Sequence, residues 1–142
     1  ETVGMNSRLD ALQAAILRVK LRHLEDELKV RRENARKYDE FFSSAGARIV
    51  PQKIASGNTS TYAQYTVLAE NRDAFIAKLD AAGIPLCIHY PMPLHRQPCF
   101  ASITDAGCAE NNADRASRMA VSLPVCAFTD VDFIIDKLRA AL

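Results

Sequence analysis

Residues 7–44 read SRLDALQAAILRVKLRHLEDELKVRRENARKYDEFFSS, a long run of mostly helix-favouring residues. Ser7 and Asp10 match the capping box, in which a hydroxyl and an acid three residues later satisfy free N–H groups at a helix start. Asn6 is an equally good N-cap. No Gly or Pro follows until Gly46, which has the position of a helix stop. The pattern predicts one helix over 7–44, about 55 Å long and longer than a small domain is wide.

The apolar side chains of this helix form two stripes on different faces. The first stripe is Leu9, Leu12, Ile16 and Val19, and the second is Leu21, Leu24, Leu28, Ala35, Tyr38 and Phe42. Between positions 19 and 21 the stripe turns by roughly 200° around the helix, so each half needs its own neighbour. The second half can pack on the residues that follow, whereas the first half needs a missing domain, a second subunit or both. We therefore divide the chain into a long helix over 1–45 and a small domain over 46–142.

The small domain combines helix and strand patterns. The predicted helices are 71–82, 111–121 and 130–142, and the predicted strands are 61–69 and 84–90, with 122–125 as a short strand or a turn. Asn71 or Asp73 caps the first of these helices and Gly83 ends it, while Thr129 or Asp130 caps the last. Residues 91–100 contain three prolines and predict an extended loop. This order indicates an α+β fold with a small, partly antiparallel sheet.

Composition excludes several classes of protein. The chain has 142 residues, 49% hydrophobic and 25% charged, with a net charge of +1. Acids interleave the basic residues of 18–37 at helical spacing, which indicates a solvated face and no nucleic-acid surface. No apolar run approaches the roughly 20 residues of a membrane span, and we expect no membrane partner. Without a secretory signal or a C-x-x-C pair, Cys87, Cys99, Cys108 and Cys126 are expected as reduced thiols of a cytoplasmic protein.

Two polar groups are candidates for binding. Asn6 and Arg8 precede the long helix, where free N–H groups and a forked cation suit an anion. The alternative is an N-cap Asn and a solvated Arg, since most caps are only caps. His89 and Tyr90 end the strand 84–90 and enter a proline-stiffened loop, a common place for binding residues. A partly buried His and a core Tyr are the alternative.

The sequence contains no pattern for a complete catalyst. Cys87, His89, His95 and Cys99 have the spacing C-x-H-x5-H-x3-C, which matches no common zinc pattern, so no metal site is expected. There is also no Gly-rich phosphate loop, no G-x-S-x-G and no H-E-x-x-H.

Four segments together resemble one enzyme family. They are GMNSRLDALQAA, YAQYTV, GIPLCIHYPMPLHRQP and ASRMAVSLPV, in that order along the chain. They are similar to the C-terminal part of the DegT-like sugar aminotransferases, which use pyridoxal 5'-phosphate (PLP) and have the aspartate-aminotransferase fold. The resemblance implies that 46–142 is the small C-terminal domain and that the helix 1–45 links it to a large PLP domain. The branch most similar aminates a 3-keto UDP-sugar, 2-acetamido-2-deoxy-3-oxo-glucuronic acid, for O-antigen in lipopolysaccharide.

The same resemblance assigns roles to residues. Asn6 matches the Asn that reaches the cofactor phosphate across a homodimer, and Arg8 matches a residue near the sugar. His89 and Tyr90 match the loop that closes over the sugar substrate. The Schiff-base Lys of relatives lies upstream of GMNSRLD, so no catalytic residue is expected in this chain, and the chain alone is expected to be inactive with glutamate and the keto sugar.

Two other interpretations stay open at the level of sequence. The first is an interaction module that dimerises through the first apolar stripe of the helix. The second is a sensor that has kept the fold and lost catalysis.

Overall fold

The computed structural model describes residues 8–44, 49–103 and 110–142. Its helices and strands are α1 (Ala11–Leu21), α2 (Leu24–Ser44), β1 (Ile49–Pro51), β2 (Tyr65–Ala69), α3 (Arg72–Ala81), α4 (Asn112–Met119), β3 (Ala120–Leu123) and α5 (Val131–Ala141). Two short 3-10 turns, Leu94–Arg96 and Pro98–Phe100, lie between α3 and α4. The predicted α+β class is confirmed.

The predicted long helix is two helices. Arg22 and His23 separate α1 from α2, and their N–H groups donate to carbonyls three residues back, at 3.2 and 3.0 Å. These tighter bonds break the regular four-residue ladder. The break follows directly after the point at which the apolar stripe changes face, between positions 19 and 21. The change of face is therefore a sequence signal for the break. The prediction of one continuous helix relied on the absence of Gly and Pro from this segment.

The start of α1 also differs from the prediction. Asp10 is the N-cap, and its carboxylate accepts a hydrogen bond of 2.7 Å from the N–H of Gln13. The helix therefore begins at Ala11 and not at position 7, since an Asp caps as well as a Ser. Asn6 and Ser7 lie outside the described residues.

The two apolar stripes have different surroundings. α1 contributes no buried residue, and the side chains of the first stripe are exposed, Leu12 at 73%. Ala35, Tyr38 and Phe42 of α2 are buried in the core, as the second stripe predicts. Leu21 and Leu24, at the start of that stripe, are exposed because they precede the part of α2 that meets the domain.

The sheet is antiparallel with the order β1-β2-β3. The predicted strand 84–90 is not a strand: it forms a single bridge, in which Cys87 N donates to Ser122 O and Ser122 N to Cys87 O, at 3.2 and 2.8 Å. Pro85 and Pro91 flank this bridge and have no N–H to extend a ladder. β1 was not predicted, because a strand of three residues is too short to show alternation.

Strand alternation gives the sheet two distinct faces. Tyr65 and Val67 lie on one face and are fully buried in the core, which α2, α3 and α5 complete. Thr66 pairs with Ser122 in register, and both therefore lie on the opposite face. That second face carries the candidate site.

The capped ends of the later helices agree with the sequence. Asn71 caps α3 and Asp130 caps α5, each through a side-chain oxygen that accepts a backbone N–H. Gly83 follows α3 with a φ of +76°, a conformation that favours glycine. α4 ends two residues earlier than predicted, because Ala120 already belongs to β3. No helix among the described residues is long and apolar enough to cross a bilayer.

Candidate functional site

The segment that follows α3 pairs with the outer edge of β3 at Cys87 and presents His89 on the second face of the sheet. The Cys87 bridge to Ser122 fixes the backbone two residues before His89. The Nδ1 atom of His89 lies 3.4 Å from the hydroxyl oxygen of Ser122, which lies 2.9 Å from that of Thr66. Ser122 is buried and His89 is half-buried. With Nδ1 engaged by the sheet, Nε2 is the nitrogen available to a ligand.

Tyr90 follows with its ring on the surface. Tyr90 is 72% exposed, so the alternative that it is a core Tyr is wrong. The rings of His89 and Tyr90 meet edge to face, with centroids 5.6 Å apart, and the peptide bond between them is cis. Their polar groups are close enough to contact one ligand together.

A cavity of about 420 Å³ opens beside these two residues. The loop after Tyr90 forms one wall with Met92, Pro93 and Leu94, and α4 forms the other, in part through Ala116. The walls are mainly aliphatic, with His89, Tyr90, Gln97 and Ser117 as the polar lining residues. An apolar hollow with a few polar groups on its rim is typical of a small-molecule site.

A second cavity, of about 370 Å³, lies on the other side of His89. Arg31, Gln64 and Cys126 contribute to its lining. The hydrogen bond with Thr129, at 3.1 Å between sulfur and oxygen, lowers the pKa of the Cys126 thiol.

The described cysteines, Cys87, Cys99 and Cys126, are free thiols, and Cys108 lies outside the described residues.

One buried carboxylate joins the loop to α4. Asp114 accepts hydrogen bonds from Arg96 Nε at 3.0 Å and from Arg96 Nη2 at 3.3 Å, the forked geometry of a strong ion pair. It also accepts the N–H of Asn111, the N-cap of α4, at 3.2 Å. These bonds, above all those from Arg96, lower the pKa of Asp114 to about 2. His95 Nε2 lies 3.3 Å from the same carboxylate.

The predicted site residues are only partly brought together. His89 and Tyr90 form one surface, as their adjacent positions require. Arg8 is exposed ahead of α1, and within the described part of the chain it has no hydrogen bond or ion pair and does not line the cavity. Asn6 lies outside the described residues. The roles of all four residues stay predictions.

Sequence reasoning missed Ser122 and Asp114. Ser122 had no local signal, because its contact with His89 spans 33 positions of the chain. Asp114 had one: Asn111 and Asp114 form the capping-box spacing at the start of a helix pattern, and the structure shows both bonds of that box.

The described residues do not by themselves form a cofactor site for PLP. Among the described residues that line the cavity beside Tyr90 there is no lysine for the aldehyde and no arginine for the phosphate. Nor do residues 8–44, 49–103 and 110–142 contain a group of three His, Cys, Asp or Glu side chains placed to hold a metal ion. What the site offers is a shaped, mainly apolar wall with an imidazole and a phenol at its edge.

A family profile and individual known proteins both match this chain. A profile of the DegT/DnrJ/EryC1/StrS aminotransferase family matches residues 1–139. The chain is 43% identical over 128 residues to UDP-2-acetamido-2-deoxy-3-oxo-D-glucuronate aminotransferase of Pseudomonas aeruginosa, covering 90% of this chain and 34% of that protein. It is 40% identical to a pleiotropic regulatory protein of Geobacillus stearothermophilus, covering 87% and 33%.

The fold also matches solved structures. A DegT DnrJ EryC1 StrS aminotransferase from Brucella abortus superposes with a TM-score of 0.82 at 37% identity, covering 97% of this chain and 37% of that chain. The chain thus spans about a third of the length of the proteins it matches.

Proposed function

The chain belongs to the DegT/DnrJ/EryC1/StrS aminotransferase family, and we propose that it is the C-terminal part of a PLP-dependent sugar aminotransferase. The whole enzyme would transfer the amino group of glutamate to C3 of a 3-keto UDP-sugar and release 2-oxoglutarate. We propose UDP-2-acetamido-2-deoxy-3-oxo-glucuronic acid as the substrate and O-antigen or lipopolysaccharide synthesis as the use of the product. The observation that carries this proposal is the 43% identity, over 90% of the chain, with the Pseudomonas aeruginosa aminotransferase named for that sugar.

The proposed roles of this chain's residues are to bind and orient. Tyr90 and His89 hold hydroxyl groups of the sugar through the phenol and Nε2, while the aliphatic walls of the cavity exclude water beside them. Arg8 pairs with the carboxylate of the sugar, which suits a planar guanidinium. Asn6 donates to the cofactor phosphate of a second subunit in a homodimer.

The chemistry belongs to residues beyond this chain. PLP, when bound, supplies the electron sink for moving the amino group, and its Schiff-base Lys would lie in the large domain. In this proposal α1 and α2 link that domain to residues 46–142. We therefore expect the 142-residue chain alone to be inactive. The cytoplasmic location stays a prediction.

The test uses the full-length protein that contains this chain, purified with PLP. Glutamate should remove the visible absorbance band of the bound cofactor, and the 3-keto uronic sugar should restore it while a 3-amino sugar forms. The 142-residue chain, treated in the same way, should show neither change. A full-length protein whose band ignores glutamate would contradict the proposal.

The sugar carboxylate has its own test in Arg8. Arg8→Gln should lower kcat/KM for the uronic sugar at least tenfold, because one ion pair with the substrate is lost. It should change kcat/KM less than twofold for UDP-N-acetyl-3-dehydro-glucosamine, which has no carboxylate. Arg18→Gln, on the exposed surface of α1, is the matched control and should change neither value. Equal losses for the two sugars would contradict the role of Arg8.

A regulatory function is the second candidate. The 40% identity with the pleiotropic regulatory protein favours it, because that relative covers 87% of this chain. A full-length protein that lacks a Lys-bearing domain, or that gives no spectral change with glutamate, would support this candidate over the aminotransferase.

A further inference from the structure

We propose that Asp114 is a positioning residue for the sugar-binding loop, a role that rests on the proposed function above. Its carboxylate holds the loop 90–97 against α4, so that His89 and Tyr90 stand in a fixed place at the edge of the cavity. Asp114 does not line that cavity itself.

The burial of apolar side chains does not hold this loop in place. Within the loop 90–97 no residue is buried. Tyr90 and Leu94 are each 72% exposed. Pro91 and Pro93 limit the backbone conformations of the loop but do not attach it to the domain. The attachment therefore comes from polar contacts.

Arg96 and Asp114 provide that attachment. Two N–H groups of the Arg96 guanidinium reach the two oxygens of Asp114, and only 9% of the Asp114 side chain is exposed. His95 adds a nitrogen at 3.3 Å. A forked pair on a buried carboxylate fixes direction as well as distance.

The carboxylate is in turn fixed by the helix. Asp114 lies in the first turn of α4, where its side chain accepts the N–H of Asn111 and its own N–H donates to the side chain of Asn111 at 3.1 Å. α4 contacts β2 and leads directly into β3, which carries Ser122. The sheet thus holds the segment at His89, and α4 holds it at Arg96.

The loop between these two anchors lines the cavity. Arg96 N–H donates to Pro93 O at 3.0 Å, and Gln97 N–H donates to Leu94 O at 3.1 Å, so the turn that carries Arg96 also carries the cavity wall. Release of Arg96 would free Pro93 and Leu94 together with Tyr90. A shift of about 1 Å in a group that orients a substrate is enough to lower a rate by about two orders of magnitude.

Hydrogen exchange in the full-length protein tests the attachment without any need for activity. In Asp114→Asn the amides of positions 96 and 97 should exchange at least tenfold faster than in the wild type. Arg96→Gln should give the same result, and it leaves the capping box of α4 intact in case Asp114→Asn disturbs the helix. Asp73→Asn, in the first turn of α3 with its side chain 91% exposed, is the control and should exchange like the wild type. Unchanged exchange in both variants would overturn the proposal.

Kinetics then test the consequence for the sugar. Both variants should raise KM for the keto sugar at least tenfold and change the rate of the glutamate half-reaction less than twofold. Faster exchange with an unchanged KM, or equal losses in both half-reactions, would overturn the positioning role. Failure of the proposed function has a different signature, because the wild type itself would then show no spectral response to glutamate.

Discussion

Single side chains in this protein connect parts of the fold that are distant in the chain. The hydroxyl of Ser122 joins Thr66 to His89, and the carboxylate of Asp114 joins α4 to Arg96. Tyr38 is fully buried, and its phenol donates to Pro124 O at 2.9 Å. Each of these polar groups is satisfied inside the protein, which is the condition for burying it without a large cost.

We predict that the ion pair between Asp114 and Arg96 loses its contribution to stability in acid. The pKa of Asp114 is about 2 in the folded chain, below the usual 3.8. The ionised carboxylate therefore contributes stability above about pH 4, and this contribution is lost as the pH falls towards 2. Asp114→Asn should therefore have a lower free energy of unfolding than the wild type at pH 5 to 7. The two values should converge near pH 2. Urea titrations of the chain at several pH values measure this.

The control for this prediction is Asp73→Asn. The same chemical change at an exposed carboxylate in the first turn of α3 should give a much smaller difference across the range. A difference for Asp114→Asn that stays constant down to pH 2 would contradict the assignment.

At the scale of the element, α1 and α5 are a natural pair for comparison. Each has 11 residues and an Asp N-cap whose side chain accepts a backbone N–H. α5 buries Ile134, Ile135 and Leu138, whereas α1 buries nothing. Because a helix of this length is marginal in water by itself, only packing distinguishes the stability of the two.

We predict a large difference in hydrogen exchange between these helices in the 142-residue chain. Amides in the middle of α1 should be protected at least about 100-fold less than those in the middle of α5, since local opening of α1 uncovers no core. Exchange measured by NMR gives both values in one sample, with α5 as the internal control. Equal protection would show that another surface covers Ile16 and Val19 in solution.

At the scale of the whole molecule, one core unites α2, α3, α5 and the sheet. Leu79 of α3 and Leu138 of α5 are fully buried in the same cluster as Tyr38 and Tyr65. The core lies on one face of the sheet and the candidate site on the other. The domain is thus expected to unfold as one unit, with α1 outside that unit.

Leu79→Ala tests this cooperativity. It should lower the free energy of unfolding by about 2–5 kcal/mol, the usual cost of removing a buried Leu side chain. The chain has no Trp, so tyrosine fluorescence reports on the core. The unfolding transition measured by this fluorescence should coincide with the transition measured by far-UV circular dichroism. Leu12→Ala, at a residue 73% exposed, should change stability by less than about 0.5 kcal/mol. Separate transitions for the two probes would contradict a single core.

Local features were predictable because their causes are local. Asn71 and Asp130 cap the helices that follow them, Gly83 ends α3, and the alternation of β2 places Tyr65 and Val67 in the core. The change of stripe near position 20 marks the break between α1 and α2, although Asp10 and not Ser7 begins the first helix. Each of these signals depends on residues within about one turn or one strand.

The tertiary structure alone decided which distant residues meet. Cys87 pairs with Ser122 in one bridge and not in a strand, because Pro85 and Pro91 have no N–H to extend the ladder along β3. The partnership of Arg96 with Asp114 depends on where packing places α4 over the loop. The sequence by itself indicated the later helices, the candidate residues that cap them and the family of the chain. The assembly of the site required the packed fold, because contacts between distant residues depend on the arrangement of all the elements between them.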